Sequence, residues 1–334
     1  MTTRIPLGSF PWRDDTRLPT RRRVIIDNDF AGDPDDLYQL AHHLLSPSVE
    51  IRGIICSHLG SHMPFHGDDG SPRGAEKVAR TLFDAMGIDP GDKLWLGSPT
   101  PIGEDGQPQP SPAVDGIIAE ALRDDTDDPL YLAVGGGLTD TASAWLTCPE
   151  IASRLTVVWI GGSEIPGGAT PPPGAPDTEY NLAIDPRAAA VVINESSLPL
   201  WVVPRDRYRQ CLVSFDELAA RVRPCGPVGA LLWQELRDVA EKIIEFGLPA
   251  TETYALGDSP LVLLTALQST FEMDASSSES RWEHLQIDDR GIFRHAHNAR
   301  SIRIFTRLDT RLMFEDFFHK LAAFAHWQAG AGNE

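Results

Sequence analysis

Five carboxylates fall within ten residues of this chain: Asp27, Asp29, Asp33, Asp35 and Asp36, in the segment VIIDNDFAGDPDDLYQL. The apolar run before them predicts a buried strand, and the pattern after them a helix, so the acids occupy a strand-to-helix turn. A strand alternates faces, which points Asp27 and Asp29 the same way. They fall at the C-terminal end of the strand, where open α/β sheets bind ligands. Gly32 gives the turn unusual backbone freedom. An N-cap uses one Asp, and a helix dipole stabilises another. Five exceed those structural jobs, and they repel one another. A hard divalent cation neutralises such a cluster, and oxygen donors suit calcium or magnesium.

Other readings of the turn are narrower. An EF-hand loop closes with Glu at its twelfth position, whereas counting from Asp27 gives Tyr38, and a strand instead of a helix precedes the loop. A P-loop is excluded, because GxxxxGK[ST] does not occur. A haloacid-dehalogenase-like phosphatase also begins with a strand ending in DxD. It would need a later Lys for phosphate and further acids for magnesium, and it stays open as an alternative.

The elements that must position these acids follow from periodicity. Strands are expected at 23–29, 50–56, 93–97, 130–134, 155–161 and 198–203, with helices at 35–45, 74–86, 113–123, 138–146 and 185–194. This alternation predicts an α/β fold with a mostly parallel central sheet and helices on both faces. Later come helices at 228–246 and 259–267, strands at 284–287, 291–295 and 301–306, and a closing helix at 314–324. The expected organisation is an N-terminal arm over 1–22, lying on the surface or on a partner subunit, and one domain over 23–328. Arg21, Arg22 and Arg23 are read as the solvated start of the first strand. Two long loops, 60–73 and 165–177, carry Pro, Gly and charge, and long loops are often functional.

Composition limits the partners. The 334 residues carry a net charge of −19, which repels nucleic-acid backbones and anionic membranes. No run of about 18 apolar residues occurs, and the N-terminus lacks the apolar core of a signal peptide. Cys56, Cys148, Cys211 and Cys225 form no CxxC pair and no zinc spacing. A cytoplasmic protein is expected.

Several motifs in order resemble the nucleoside hydrolase family, the inosine-uridine preferring kind. Asp27-Asn28-Asp29, then Gly32-Asp33-Pro34-Asp35-Asp36, resembles its DxDPGxDD turn with two extra residues. Gly135-Gly136-Gly137-Leu138-Thr139-Asp140 resembles its GPLTN turn, and 157–163 (VVWIGGS) its strand ending in GGA. Glu179-Tyr180-Asn181 with Asp185-Pro186 and Ala188 resembles E-F-N…D-P-x-A-A. Leu256-Gly257-Asp258-Ser259-Pro260 resembles the late His-Asp motif. The likeness runs from about Val24 to Leu321.

The resemblance implies a Rossmann-like single domain with late helical and strand additions. It also implies calcium-dependent hydrolysis of a nucleoside or related N-riboside, and a homo-oligomer. It assigns Asp29, Asp36, Asp258 and the Gly135 carbonyl to Ca2+, with Asp29 also taking a proton from the attacking water. Asp35, Glu179, Asn181 and Asp258 would hold the sugar, with Asp33 a rival to Asp35, while Asp27 orients the turn. The pattern departs at Gly257, where many members carry a His that protonates the leaving base. His58, His62, His66 and Tyr254 are the replacements considered, with His58 and Tyr254 assigned as catalytic. The Asn that many members carry after the second strand is also missing. A sugar- or nucleoside-binding protein without catalysis is the main alternative, and a magnesium phosphatase the other.

Overall fold

The first apolar run forms β1 (Arg23–Asn28), every residue of it buried. β2 (Glu50–Cys56), β3 (Leu94–Leu96), β4 (Leu130–Val134), β5 (Leu155–Ile160) and β6 (Leu200–Val203) follow, then β7 (Glu279–Ile287), β8 (Phe293–His295) and β9 (Ser301–Arg307). The structure, a computed structural model, describes residues 4–13, 22–60, 69–103, 105–245, 247, 249–269, 271, 274 and 277–331. The nine strands form one sheet in the order β8-β7-β9-β6-β5-β4-β1-β2-β3. The seven from β9 to β3 are parallel, and β7 runs antiparallel to both β9 and β8. The expected mostly parallel α/β sheet is therefore present, extended by the late strands.

The helices in chain order are α1 (Asp35–Leu44), α2 (Pro72–Met86), α3 (Pro112–Ala121), α4 (Thr139–Thr147), α5 (Tyr180–Ile184) and α6 (Pro186–Ala190). Then come α7 (Arg205–Tyr208), α8 (Phe215–Arg221), α9 (Gly226–Glu245), α10 (Pro260–Thr265) and α11 (Thr310–Ala331). Two apolar clusters fill the two faces of the sheet. Val24 and Ile26 join one with α1, α2, α9, α10 and α11, and Ile25 joins the other with α3, α4 and α6. Alternation along β1 thus serves two cores at once, as a doubly covered parallel strand requires. No helix among the described residues is long and apolar enough to cross a membrane.

Three details differ from expectation. The helix expected over 185–194 ends at Ala190 and widens into a π-helical turn, Val191–Glu195. A short antiparallel pair, Leu212–Ser214 with Thr253–Ala255, was not anticipated and delivers the chain to Gly257 and Asp258. Arg22 and Arg23 are buried rather than solvated, at 8% and 5% exposure. The cause is visible at Arg23. Its guanidinium donates to Glu120 Oε1 at 2.7 Å, to the Glu120 carbonyl at 2.9 Å and to the Asp128 carbonyl at 3.0 Å. The described part of the arm packs on its own chain. Ile5–Pro6 pairs with Ile88–Asp89, and Trp12 meets Phe324 edge-on at 4.8 Å between ring centroids.

Removing Arg23 would leave Glu120 buried, with only Arg52 and Arg123 to balance it. Breaking a buried pair from one side is costly, so Arg23→Ala is expected to lower unfolding free energy by about 2–4 kcal/mol. Urea denaturation midpoints measure this. An unchanged midpoint would mean that the two remaining arginines suffice.

Candidate active site

The chain builds β2 and β3 to one side of β1, then returns to lay β4 on the other. The crevice beyond β1 and β4 is thus a topological switch point, the ligand position of open α/β sheets. Face alternation sorts the residues at the end of β1. Asn28 falls on the α1 and α10 face, where its Nδ2 donates to Asp258 Oδ2 at 3.0 Å and also to Asp36 Oδ1. Asp27 falls on the opposite face, towards Ser57 and Asp140. Ladder pairing stops at Asn28, so alternation no longer governs Asp29, which turns into the crevice. The expectation that Asp27 and Asp29 point alike is therefore corrected.

A cavity of about 320 Å³ lies here, lined by Asp29, Asp33, Asp35, Asp36, Glu179, Asn181 and Asp258, with Gly135, Tyr208 and Gly257. Asp35, Asp36 and Asp258 each bring a carboxylate oxygen within 4.8 Å of the others, and all three are buried. Asp35, expected to face the sugar, thus belongs to the three-acid group, and Asp29 stands beside it. The Asp258 amide donates to Asp35 Oδ2 at 3.0 Å, tying residues 223 positions apart.

Burial, followed by the charge of Asp258, pushes the Asp29 carboxyl well above the usual range. Burial, then Asp33, does the same to Asp35, and burial, then Asp29, to Asp36. Asp258 is pushed up to about 7, again first by burial. Neighbouring carboxyls of this kind titrate as a set rather than singly.

The donor set fits a hard divalent cation. Buried carboxylates that raise one another's proton affinity are the arrangement such an ion relieves. The glycine run supports the fit. A Cβ on Gly135 would come within 2.1 Å of Asp258 Oδ2, and one on Gly136 within 2.8 Å of Asp29 Oδ1. These glycines do more than turn the chain, because they let backbone approach the acids. The Gly135 carbonyl accepts from Asn181 Nδ2 at 2.7 Å, and the same nitrogen donates to the Ile160 carbonyl at 2.9 Å.

The remaining assigned residues are held differently. Glu179 Oε2 accepts from the amides of Gly162 at 2.8 Å and Leu182 at 3.1 Å, the latter capping α5. Its Oε1 accepts from the Tyr208 hydroxyl at 2.8 Å. Tyr254 donates to Asp33 Oδ1 at 2.7 Å and Oδ2 at 2.9 Å. His58 does not line the cavity. It is buried with Nδ1 against the Ser98 carbonyl at 2.9 Å, because the chain after β2 turns towards the α4 side of the sheet. His62 and His66 lie outside the described residues.

Asp27 is fully buried, and neither oxygen has a hydrogen-bond partner of normal geometry. Burial and then Asp140 raise its proton affinity, and the nearby Ser57 hydroxyl opposes this. Two neighbours of these acids escaped the sequence reading. Asn28 could have been found as the amide between two acids at a strand end. Tyr208 left no local signal.

Comparisons with known proteins bear on the family and the fold. The family model described as "Inosine-uridine preferring nucleoside hydrolase" matches residues 24–314. A pyrimidine-specific ribonucleoside hydrolase, RihA, of Photobacterium profundum is 28% identical over 65% of this chain and 71% of its own. The Escherichia coli pyrimidine-specific ribonucleoside hydrolase RihB is 23% identical over 80% of this chain and 84% of its own. Among solved structures, a purine-preferring ribonucleoside hydrolase from Gardnerella vaginalis superposes with a TM-score of 0.69 at 20% identity. It covers 91% of this chain and 99% of that one. The inosine-uridine preferring nucleoside hydrolase of Bacillus anthracis gives 0.63 at 17% identity, covering 90% and 99%. At such identities the structural likeness speaks for the fold alone.

The raised carboxyls make a signed prediction for metal-free protein. Each binds its proton more tightly folded than unfolded, so the cluster's penalty is absent below the unfolded pKa and complete above the folded one. In chelator, Tm is expected to rise as pH falls from about 8 to about 6, and added calcium should flatten that slope. The gap in Tm between cation-loaded and chelated protein should narrow over the same interval, a comparison that cancels the opposite contribution of buried His42 and His43, and a gap that widens would contradict the cluster's electrostatics. Gly135→Ala should abolish the calcium-induced rise in Tm, because the new methyl group would displace Asp258.

Proposed function

The chain belongs to the inosine-uridine preferring nucleoside hydrolase family, and from that premise we propose that it hydrolyses the N-glycosidic bond of a ribonucleoside with the help of Ca2+. The observation that carries this reading is the convergence of Asp35, Asp36 and Asp258, with Asp29 alongside, in one buried cavity at the switch point. Asp35, Asp36 and Asp258 would hold the ion, with Asp29 and the Gly135 carbonyl next to it. When bound, a divalent cation acidifies a water and grips vicinal hydroxyls.

The protein's own residues divide the remaining work. Asp29 takes a proton from the water as it attacks the anomeric carbon. The C–N bond breaks through an oxocarbenium-like transition state, and its electron pair leaves with the base. The buried carboxylates stabilise the positive charge that develops on the sugar. Glu179 and Asn181 shape the sugar end. At the leaving-group end we assign Tyr254, which does not line the cavity itself and reaches it through Asp33. Burial, then Asp33, holds its phenol well above the usual range, which makes it a weak acid at neutral pH. Gly257 supplies no proton. A uracil-type base, whose departing anion spreads over two carbonyl groups, suits these donors best. The curated relatives named as pyrimidine-specific support the same choice. The four cysteines are free, which supports a cytoplasmic setting.

Gly257 also favours a second reading, a nucleoside-binding protein that does not turn over. Release of free base and reducing sugar from uridine, cytidine, inosine and adenosine, with calcium and then with chelator, separates the two. Chelator-sensitive release, fastest with uridine, is expected. No release from any of them by folded, calcium-loaded protein would leave the binding reading.

Asp29→Asn tests the base role. Loss of a general base costs about 10²–10⁴-fold in kcat, and circular dichroism and Tm should remain those of folded protein. Retained activity in a folded Asp29→Asn variant would remove the assignment.

A further inference from the structure

We propose that His43 and Thr265, two buried polar residues outside the cavity, are positioning residues for the cation. Their hydrogen bond fixes how α1 lies against α10, and so how Asp36 lies against Asp258. The inference deepens the nucleoside hydrolase reading and rests on it for Asp36 and Asp258 as ligands of the ion. Three observations carry it.

The first is register. His43 lies seven residues beyond Asp36 on α1, and Thr265 lies seven beyond Asp258 at the end of α10. Seven residues are nearly two helical turns, so each acid shares a helix face with a polar residue about 10 Å further along the axis. His43 Nε2 and Thr265 Oγ1 meet at 2.9 Å, across 222 residues of chain. Asp36 and Asp258 meet across the same separation. The two helices thus leave the cavity side by side, with the acids opposed at one end and the polar pair at the other. A slip at the lower contact carries the upper one with it. Neither His43 nor Thr265 lines the cavity.

The second observation is direction. The Thr265 hydroxyl donates to the Leu261 carbonyl at 2.6 Å, so it accepts from His43 Nε2–H. His43 Nδ1 is then the acceptor for the side-chain amide of Gln39, one turn back on α1. Every proton in this chain of bonds has a defined place, and the imidazole is neutral. Burial, which holds the His43 pKa well below its usual value, favours the same state.

The third is the setting. Gln39, His43 and Thr265 are fully buried, in the core to which Leu40, Leu44, Leu261 and Leu264 belong. Apolar packing is non-directional and tolerates a slide of one helix along another. A buried polar pair accepts one register, which is the best-attested use of such pairs. The upper end does not set the register by itself. Asp36 and Asp258 repel each other when ionised, and the Asn28 amide that bridges them belongs to β1, not to either helix.

The test titrates calcium into metal-free protein by calorimetry and measures Tm in chelator beside it. The variants are Thr265→Ser, Thr265→Val and the triple change Gln39→Leu, His43→Leu, Thr265→Val. The triple change removes every polar member at once, an exchange that leaves a buried interface about as stable or more so. It is expected to keep or raise the chelated Tm and yet to bind calcium about three- to thirtyfold more weakly. Thr265→Ser retains the hydroxyl and should bind calcium within about twofold of wild type, whereas Thr265→Val should not. Should the triple variant fail to fold, Thr265→Val is compared with Ile117→Val, a control in the core on the other face of the sheet. The control is expected to lose Tm without losing calcium affinity. Unchanged affinity in both the triple variant and Thr265→Val would overturn the proposal. So would equal weakening by Thr265→Ser and Thr265→Val, or weakening by Ile117→Val as great as that by Thr265→Val. Wild-type protein that binds no calcium would sink the inference together with the metal reading beneath it. The expected differences without nucleoside hydrolysis would sink the hydrolase reading and leave the roles of His43 and Thr265 standing.

Discussion

Buried like charges are the constraint on which this structure turns. Asp35, Asp36 and Asp258 hold carboxylate oxygens within 4.8 Å of one another. Two unit charges that close repel by on the order of 4 kcal/mol even at an effective dielectric of about 20. The folded chain accommodates this in three ways. Amides are placed among the acids: Asn28 bridges Asp36 and Asp258, and the Asp258 backbone amide binds Asp35. Glycine at 135 and 136 allows the approach sterically. Proton affinity rises until protons or a cation supply the missing positive charge. The first two are paid for in sequence, and the third depends on solution conditions.

The sheet explains why acids distant in sequence can meet at all. β1 lies between β2 and β4, so both faces and both flanks of its end are occupied by chain that arrives later. Alternation sends Asn28 towards the helices that carry Asp36 and follow Asp258, and sends Asp27 towards α4 and Asp140. One strand end therefore organises a ligand-facing set and a buried set that never touches the cavity. An Asp27 without good hydrogen-bond partners is tolerable there because burial and Asp140 favour its protonated, neutral form.

Much of this was legible in the sequence because it follows from short-range rules. Strand and helix order came from periodicity, and β2 and β4 match the residues expected. The acidic turn announced itself by having more charge than capping can use. What failed involved contacts across the chain. Arg23 was taken as solvated because nothing nearby in sequence reveals Glu120 as its partner. His58 was placed at the cavity because it follows a strand end, yet the backbone there leads to Ser98. Asp35 was expected to face the sugar, yet it sits with Asp36 and Asp258, because the Asp258 amide, 223 residues away, draws in its carboxylate. Tyr208 contacts Glu179 across 29 residues, and no local pattern encodes that contact.

Hydrogen-bond satisfaction offers a criterion for sorting the acids that motif matching cannot. Asp140 accepts from the Ser98 amide and hydroxyl and from Ser111. Asp185 accepts from Ile102, Thr139 and Ala188. Both are spent on holding loops and helix ends together. Glu179 carries three donors as well, but it lines the cavity and keeps an acceptor position on Oε1. Asp29, Asp36 and Asp258 are the opposite case, with far fewer donors than lone pairs and one another as neighbours. A folded chain retains such a deficit where a proton, as at Asp27, or a bound cation makes it good. By this measure the unmet demand for positive charge lies at the end of β1, where Asp29, Asp36 and Asp258 line the cavity.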